Sequence, residues 1–133
     1  MFDVMHILAD GRPRGGATFV LDLSQKLLLS HVAVTIASQN GSYVLEEAGK
    51  LGIPTVALDF RSRHRSAVLA ITLGQHLRHA RRPLVVHAHG ARSGLPVAML
   101  PKAVCPVWVY TVHGFHFWEK PWGVRDLAWL AER

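Results

Sequence analysis

The sequence predicts a doubly wound α/β sandwich on a mostly parallel sheet of about five strands, and three of its features carry that expectation. The strongest apolar runs are short and unbroken, as in strands covered on both faces, rather than alternating as in half-exposed ones. These runs alternate with helix-length segments, the signature of parallel crossover units. Between residues 83 and 117, two such runs each meet a histidine and then a glycine: His87-Ala88-His89-Gly90 after the first, His113-Gly114-Phe115-His116 after the second. Right-handed crossovers then give a strand order of 3-2-1-4-5, with the switch point between strands one and four. Both histidine–glycine loops emerge at carboxyl strand ends, where open α/β sheets place their ligands.

Taken in order, residues 4–9 (VMHILA) form strand one, and Asp10 to Gly16 form a loop by composition. Residues 17–30 form a helix whose broad apolar face is Val20, Leu21, Leu23, Leu27 and Leu28. The β-branched run 32–37 is strand two, and Ser38-Gln39-Asn40-Gly41 turns the chain. A short helix spans 43–51, with Glu46 and Glu47 near its start, where the helix dipole favours acids, and Gly52 past its end. Strand three is 54–58, and the basic loop Arg61-Ser62-Arg63-His64-Arg65 follows. Ser66 caps a helix running to about His79, with Leu69, Leu73 and Leu77 as its core stripe. Strand four starts at Leu84 and ends at His89, a helix covers 91–102, strand five is 107–112, and another helix begins at Gly123.

The 133 residues suit one compact domain. Half are hydrophobic and 18% are charged, which excludes a disordered chain. The net charge of +6 favours anionic partners: phosphorylated small molecules, anionic lipid headgroups or nucleic acid. The basic residues are scattered through loops and a helix end without a reading motif, so nucleic acid ranks last. Cys105 is the single cysteine, so an intrachain disulfide is excluded and a reducing compartment fits; next to Pro106 it reads as a small buried hydrophobe. No apolar run reaches the roughly 18 residues of a membrane-spanning helix, and the N-terminus lacks the pattern of a signal peptide.

Gly15-Gly16-Ala17 admits two readings. The glycines either let a phosphate approach the backbone at a helix N-terminus or serve a tight strand-to-helix turn. Their spacing is neither G-x-G-x-x-G nor a P-loop, and no acid ends strand two, so a nicotinamide-dependent dehydrogenase is disfavoured. His89 and His113 end neighbouring strands and can reach one ligand, where an imidazole donates a hydrogen bond to a hydroxyl or developing oxyanion; the alternative is a pair of loop histidines capping strand ends. Gly90 and Gly114 would let the chain turn sharply beneath a bound sugar or phosphate. His87 reads as a core or supporting residue. No carboxylate or cysteine accompanies His87, His89, His113 and His116 at ligand spacing, so no metal is expected. Phe115, Phe117, Trp118 and Trp122 read either as a stacking surface beside the site or as an ordinary aromatic patch.

These residues, in this order, resemble the N-terminal domain of family 4 glycosyltransferases. The matching features are His6-Ile7-Leu8 entering a loop that ends in Gly15-Gly16-Ala17; Val20-Leu21-Asp22-Leu23; the LEEAGKLGIP stretch at 45–54; and, most specifically, Val85-Val86-His87-Ala88-His89-Gly90 followed by Tyr110-Thr111-Val112-His113-Gly114-Phe115-His116. The resemblance implies one Rossmann-like half of a GT-B architecture, in which two domains face each other across a cleft. It implies a retaining, hexosyltransferase-type reaction that moves a sugar from a nucleotide-sugar to a glycan or lipid-linked acceptor, in polysaccharide or lipopolysaccharide biosynthesis, with the nucleotide-sugar as co-substrate and no further cofactor. Carried over residue by residue, His113 lies near the reacting sugar, and Gly15, Gly16, His89, Gly90 and Gly114 line the donor diphosphate and acceptor. Two such domains do not fit in 133 residues. The resemblance therefore implies an acceptor-binding domain over 1–133, a donor-binding domain absent from the chain and supplied in cis or in trans, and inactivity without it. A cytoplasmic location is implied, with peripheral contact between the basic surface and the anionic inner face of the membrane. The alternative is a non-catalytic α/β binding or assembly module, a remnant or a subunit of a two-chain enzyme.

Overall fold

The computed structural model describes residues 2–61, 66–79, 84–105 and 107–113. The elements run β1 (Asp3–Leu8), α1 (Gly15–Leu29), β2 (Val34–Gln39), α2 (Tyr43–Lys50), β3 (Thr55–Leu58), α3 (Ser66–Arg78), β4 (Leu84–His89), α4 (Ala91–Ala98) and β5 (Val107–Thr111). All five strands are parallel, in the order β3-β2-β1-β4-β5. This is the doubly wound α/β sandwich with the expected order. The aromatic segment after His113, the helix expected from Gly123, Gly114, and residues 62–65 of the basic loop lie outside the described residues.

Alternation along β1 sends its side chains to two cores. Met5 and Ile7 join Leu69, Leu73, Leu77, Val86 and Val97 on the side covered by α3 and α4. Leu8 joins Ala17, Val20, Val34, Ile36 and Val44 on the side covered by α1 and α2. His6 alternates with Met5 and Ile7, so it falls on the α1 side. Parallel register sets His6 opposite His87 and Leu8 opposite His89, which in turn pairs with Thr111. Paired positions share a face, so three histidines from two strands line the same side of the sheet.

Several element boundaries differ from the sequence expectation, each for a local reason. α1 begins at Gly15, so both glycines sit in its first turn rather than in the preceding loop. Its buried stripe is Ala17, Val20 and Ser24, while Leu28 is exposed. The small Ser24 returns its hydroxyl to the Val20 carbonyl at 2.7 Å, which lets the helix approach the sheet closely without an unsatisfied polar group. β2 starts at Val34 because His31, in the left-handed region at φ 60, still belongs to the turn that ends α1. Ser66, expected as the cap, is already helical. α4 stops at Ala98, short of residue 102: Pro96 cannot donate to the carbonyl four residues back, and Pro101 disfavours helix at Leu100. Gly94 lets α4 close on β5, since a Cβ there would stand 3.0 Å from Tyr110 Cε2. Gly52, at φ +70, ends α2 as expected, with the Ile53 amide bonding back to the Ala48 carbonyl.

Candidate functional site at the carboxyl end of the sheet

The loop leaving β1 is held from three sides. The Ala9 amide donates to the buried Ser93 hydroxyl of α4 at 2.8 Å. Gly11 fits where no side chain would, since its Cβ would fall 2.5 Å from Ser42 Cβ and 2.7 Å from Ser38 Oγ. Its carbonyl accepts the Val44 amide at 3.0 Å, tying the loop to the start of α2. Arg12 closes an exposed ion pair on Asp10 at 2.6 Å, and the guanidinium lowers the pKa of the Asp10 carboxyl. The first bond along α1 runs from the Thr18 amide to the Arg14 carbonyl, so the amides of Gly15, Gly16 and Ala17 precede it. The first turn has no acidic residue and no side-chain cap. A helix end of this kind attracts anions.

Behind that loop lies a chain of imidazoles. His6 Nδ1 is 3.0 Å from His89 Nε2, and His89 Nδ1 is 2.9 Å from His113 Nε2. His6 is fully buried, His89 is nearly so, and His113 is exposed. The chain therefore runs from the core to the surface at the switch point. His87 stands beside it, its ring 4.0 Å from that of His89 and its Nε2 2.7 Å from Thr111 Oγ1. Phe19 of α1 turns its ring edgewise to His89 at 6.0 Å and to His113 at 5.3 Å, forming a wall over both. Burial, then repulsion from His87, lowers the His6 pKa to about 4. Burial, then repulsion from His87, His6 and His113, lowers that of His89 to about 2. Burial also lowers His87 and His113. At neutral pH all four rings are uncharged, each with one N–H and one lone pair.

Of the residues singled out from sequence, His89 and His113 meet directly. Gly16 reaches the same place: a Cβ on it would lie 3.8 Å from His113 Cγ and 3.8 Å from Leu8 Cδ1. Gly15 faces open space, with nothing within 4 Å of a Cβ. Gly90 also has open space around it; its φ of +78 aims the chain from β4 into α4, and its amide bonds the Thr111 carbonyl at 2.9 Å, clamping β4 to β5. Gly114 lies outside the described residues. Sequence reasoning missed His6 and Phe19 as parts of the site. His6 sits within an apolar strand run, and only the β1–β4 register reveals that it meets His87 and His89.

Among the described residues, one group has metal-ligand geometry: ring nitrogens of His6, His87 and His89 lie within 4.8 Å of one another. Two of those rings are already bonded to each other, and the third to Thr111. A cation there would have to displace the proton between His6 and His89.

The family described as a glycosyl transferase 4-like domain matches residues 14–133. Among solved structures, MurG of Acinetobacter baumannii superposes with a TM-score of 0.59 at 12% identity, over 84% of this chain and 34% of that one. At that identity the likeness is one of fold. The chain spans about a third of that protein's length. No curated protein matches it.

Proposed function

The chain belongs to the glycosyl transferase 4-like family, and on that footing we propose that residues 1–133 are the N-terminal, acceptor-side domain of a retaining, hexosyltransferase-type enzyme. In such a reaction the bond between the anomeric carbon and the donor phosphate oxygen breaks. A bond to an acceptor hydroxyl oxygen forms, and the acceptor proton departs with the nucleoside diphosphate. The acceptor is a glycan or a lipid-linked precursor of polysaccharide or lipopolysaccharide, and the nucleotide-sugar is co-substrate without a further cofactor. One observation carries the reading: Gly16, at the uncapped start of α1, stands against His113, which is joined to His89 at the switch point. The amides of Gly15, Gly16 and Ala17, ahead of the first bond of the helix, suit a diphosphate, and His113 beside them suits a sugar hydroxyl.

One wall does not hold a donor in reacting geometry, so transfer requires a donor-binding domain in cis or in trans. The net charge of +6 suits an anionic membrane or a phosphorylated acceptor; no helix among the described residues is long and apolar enough to cross a membrane. The test is release of nucleoside diphosphate from a panel of uridine, guanosine, thymidine and adenosine diphosphate sugars. The chain is assayed alone and with any polypeptide that co-purifies with it or continues it in its source. The expected result is release only in the presence of the donor-binding part, lost in His113→Ala. Release indifferent to His113→Ala contradicts the reading. No release with a donor-binding part present favours the non-catalytic module.

A further inference from the structure

We infer that His6, acting through His89, sets the tautomer of His113, so that the ring keeps its proton on Nδ1 and uses Nε2 only as an acceptor toward His89. The argument begins at the deep end of the imidazole chain. His6 Nε2 is buried and has no hydrogen-bond partner among the described residues. A buried N–H without an acceptor is rarer than a buried acceptor without a donor. The His6 proton therefore resides on Nδ1, the nitrogen 3.0 Å from His89 Nε2, and is donated there. His89 then accepts at Nε2 and, being neutral, carries its proton on Nδ1. That proton is donated to His113 Nε2 at 2.9 Å. His113 accepts in turn, and its own proton sits on Nδ1. Reversing any one bond reverses all of them and strands an N–H at His6 Nε2, so the first direction is the preferred one.

The surroundings keep the chain single. His87 Nε2 is taken by Thr111 Oγ1 at 2.7 Å. Phe19 offers only carbon to His89 and His113. Burial keeps the rings of the chain neutral, so each carries one N–H and one lone pair. The consequence for chemistry rests on the reading of His113 as the sugar-facing residue. The nitrogen left for a ligand is Nδ1, and it carries a hydrogen. His113 would then serve as a hydrogen-bond donor to a hydroxyl or a developing oxyanion, not as a base that takes a proton. His6 and His89 are positioning residues that never touch the substrate.

The test is a long-range proton–nitrogen correlation spectrum of the 15N-labelled 133-residue chain, without ligand, near pH 7.5. Each tautomer has its own pattern of ring nitrogen shifts and cross-peaks. The expected spectrum shows His6, His89 and His113 all protonated on Nδ1. His113 protonated on Nε2, or averaged between the two forms, overturns the inference. His89→Phe cuts the chain while keeping a ring in place, and His113 should then move toward the Nε2–H form that free imidazole side chains prefer. A His113 signature unchanged by that substitution also overturns the inference, because a purely structural role for His89 predicts no tautomer change. The spectrum needs no sugar, so failure of the transferase reading and failure of this one are separately visible.

Discussion

Acid should destabilise this fold well above the usual carboxylate range, because it must charge a buried imidazole chain. His6 and His89 have folded pKa values of about 4 and about 2, both below the usual 6.5. The sign follows from proton uptake: the unfolded chain takes up protons first, so stability is fully present above roughly pH 6.5 and is lost as pH falls. At about pH 5.5 each ring is nearly fully protonated in the unfolded state and neutral in the folded one. Each therefore removes about 1.4 kcal/mol, and together about 3 kcal/mol relative to pH 7.5. That is a large share of the roughly 5–15 kcal/mol of an ordinary domain, and it would lower the midpoint of thermal unfolding by roughly 10 °C. His87 and His113, also lowered by burial, act in the same direction. Urea unfolding followed by circular dichroism between about pH 7.5 and 5.5 reads the slope directly. His6→Phe should reduce the loss over this window by about 1.4 kcal/mol, the share of one ring, whatever it does to stability at neutral pH. Stability that is flat across this window, or a slope unchanged in His6→Phe, would refute the reasoning.

Three further outcomes follow from the packing. Gly16→Ala should leave the fold and the His113 ring signals nearly unchanged, since its Cβ meets ordinary contacts at 3.8 Å; Gly16→Leu should displace the ring and weaken diphosphate binding at least tenfold by calorimetry. Ser93→Ala should destabilise the domain by about 1–3 kcal/mol in urea titration, because it strands the buried Ala9 amide at the mouth of the site. Gly90→Ala should cost about 1–3 kcal/mol by the same measurement, since φ +78 with ψ 160 is a conformation that only glycine adopts readily.

The strand order was legible because unbroken apolar runs alternating with helices leave few topologies open, and 3-2-1-4-5 is the one found. The meeting of His89 and His113 was legible for the same reason: His89 ends β4, and His113 follows two residues after the end of the adjacent parallel β5. His6 was hidden, because an apolar run conceals a polar member whose partners come from a strand about eighty residues away. Phe19 was hidden because helical periodicity does not show which exposed aromatic overhangs a sheet edge. The start of α1 was misplaced because glycine signals a loop by composition, whereas here Gly15 and Gly16 open the helix and Gly16 lies against His113. Leu28 points to solvent in place of Ser24, since close packing on the sheet favours the smaller side chain at that turn.

The central claim is that the α1 start and the histidine loops form one anion- and sugar-binding edge. The most direct measurement is amide chemical-shift mapping of the 15N-labelled chain titrated with pyrophosphate and, separately, with uridine diphosphate glucose. The account predicts saturable shifts concentrated at Gly15, Gly16, Ala17, Gly90 and His113, abolished by Gly16→Leu. Shifts confined to residues away from these, or none up to millimolar ligand, would contradict it.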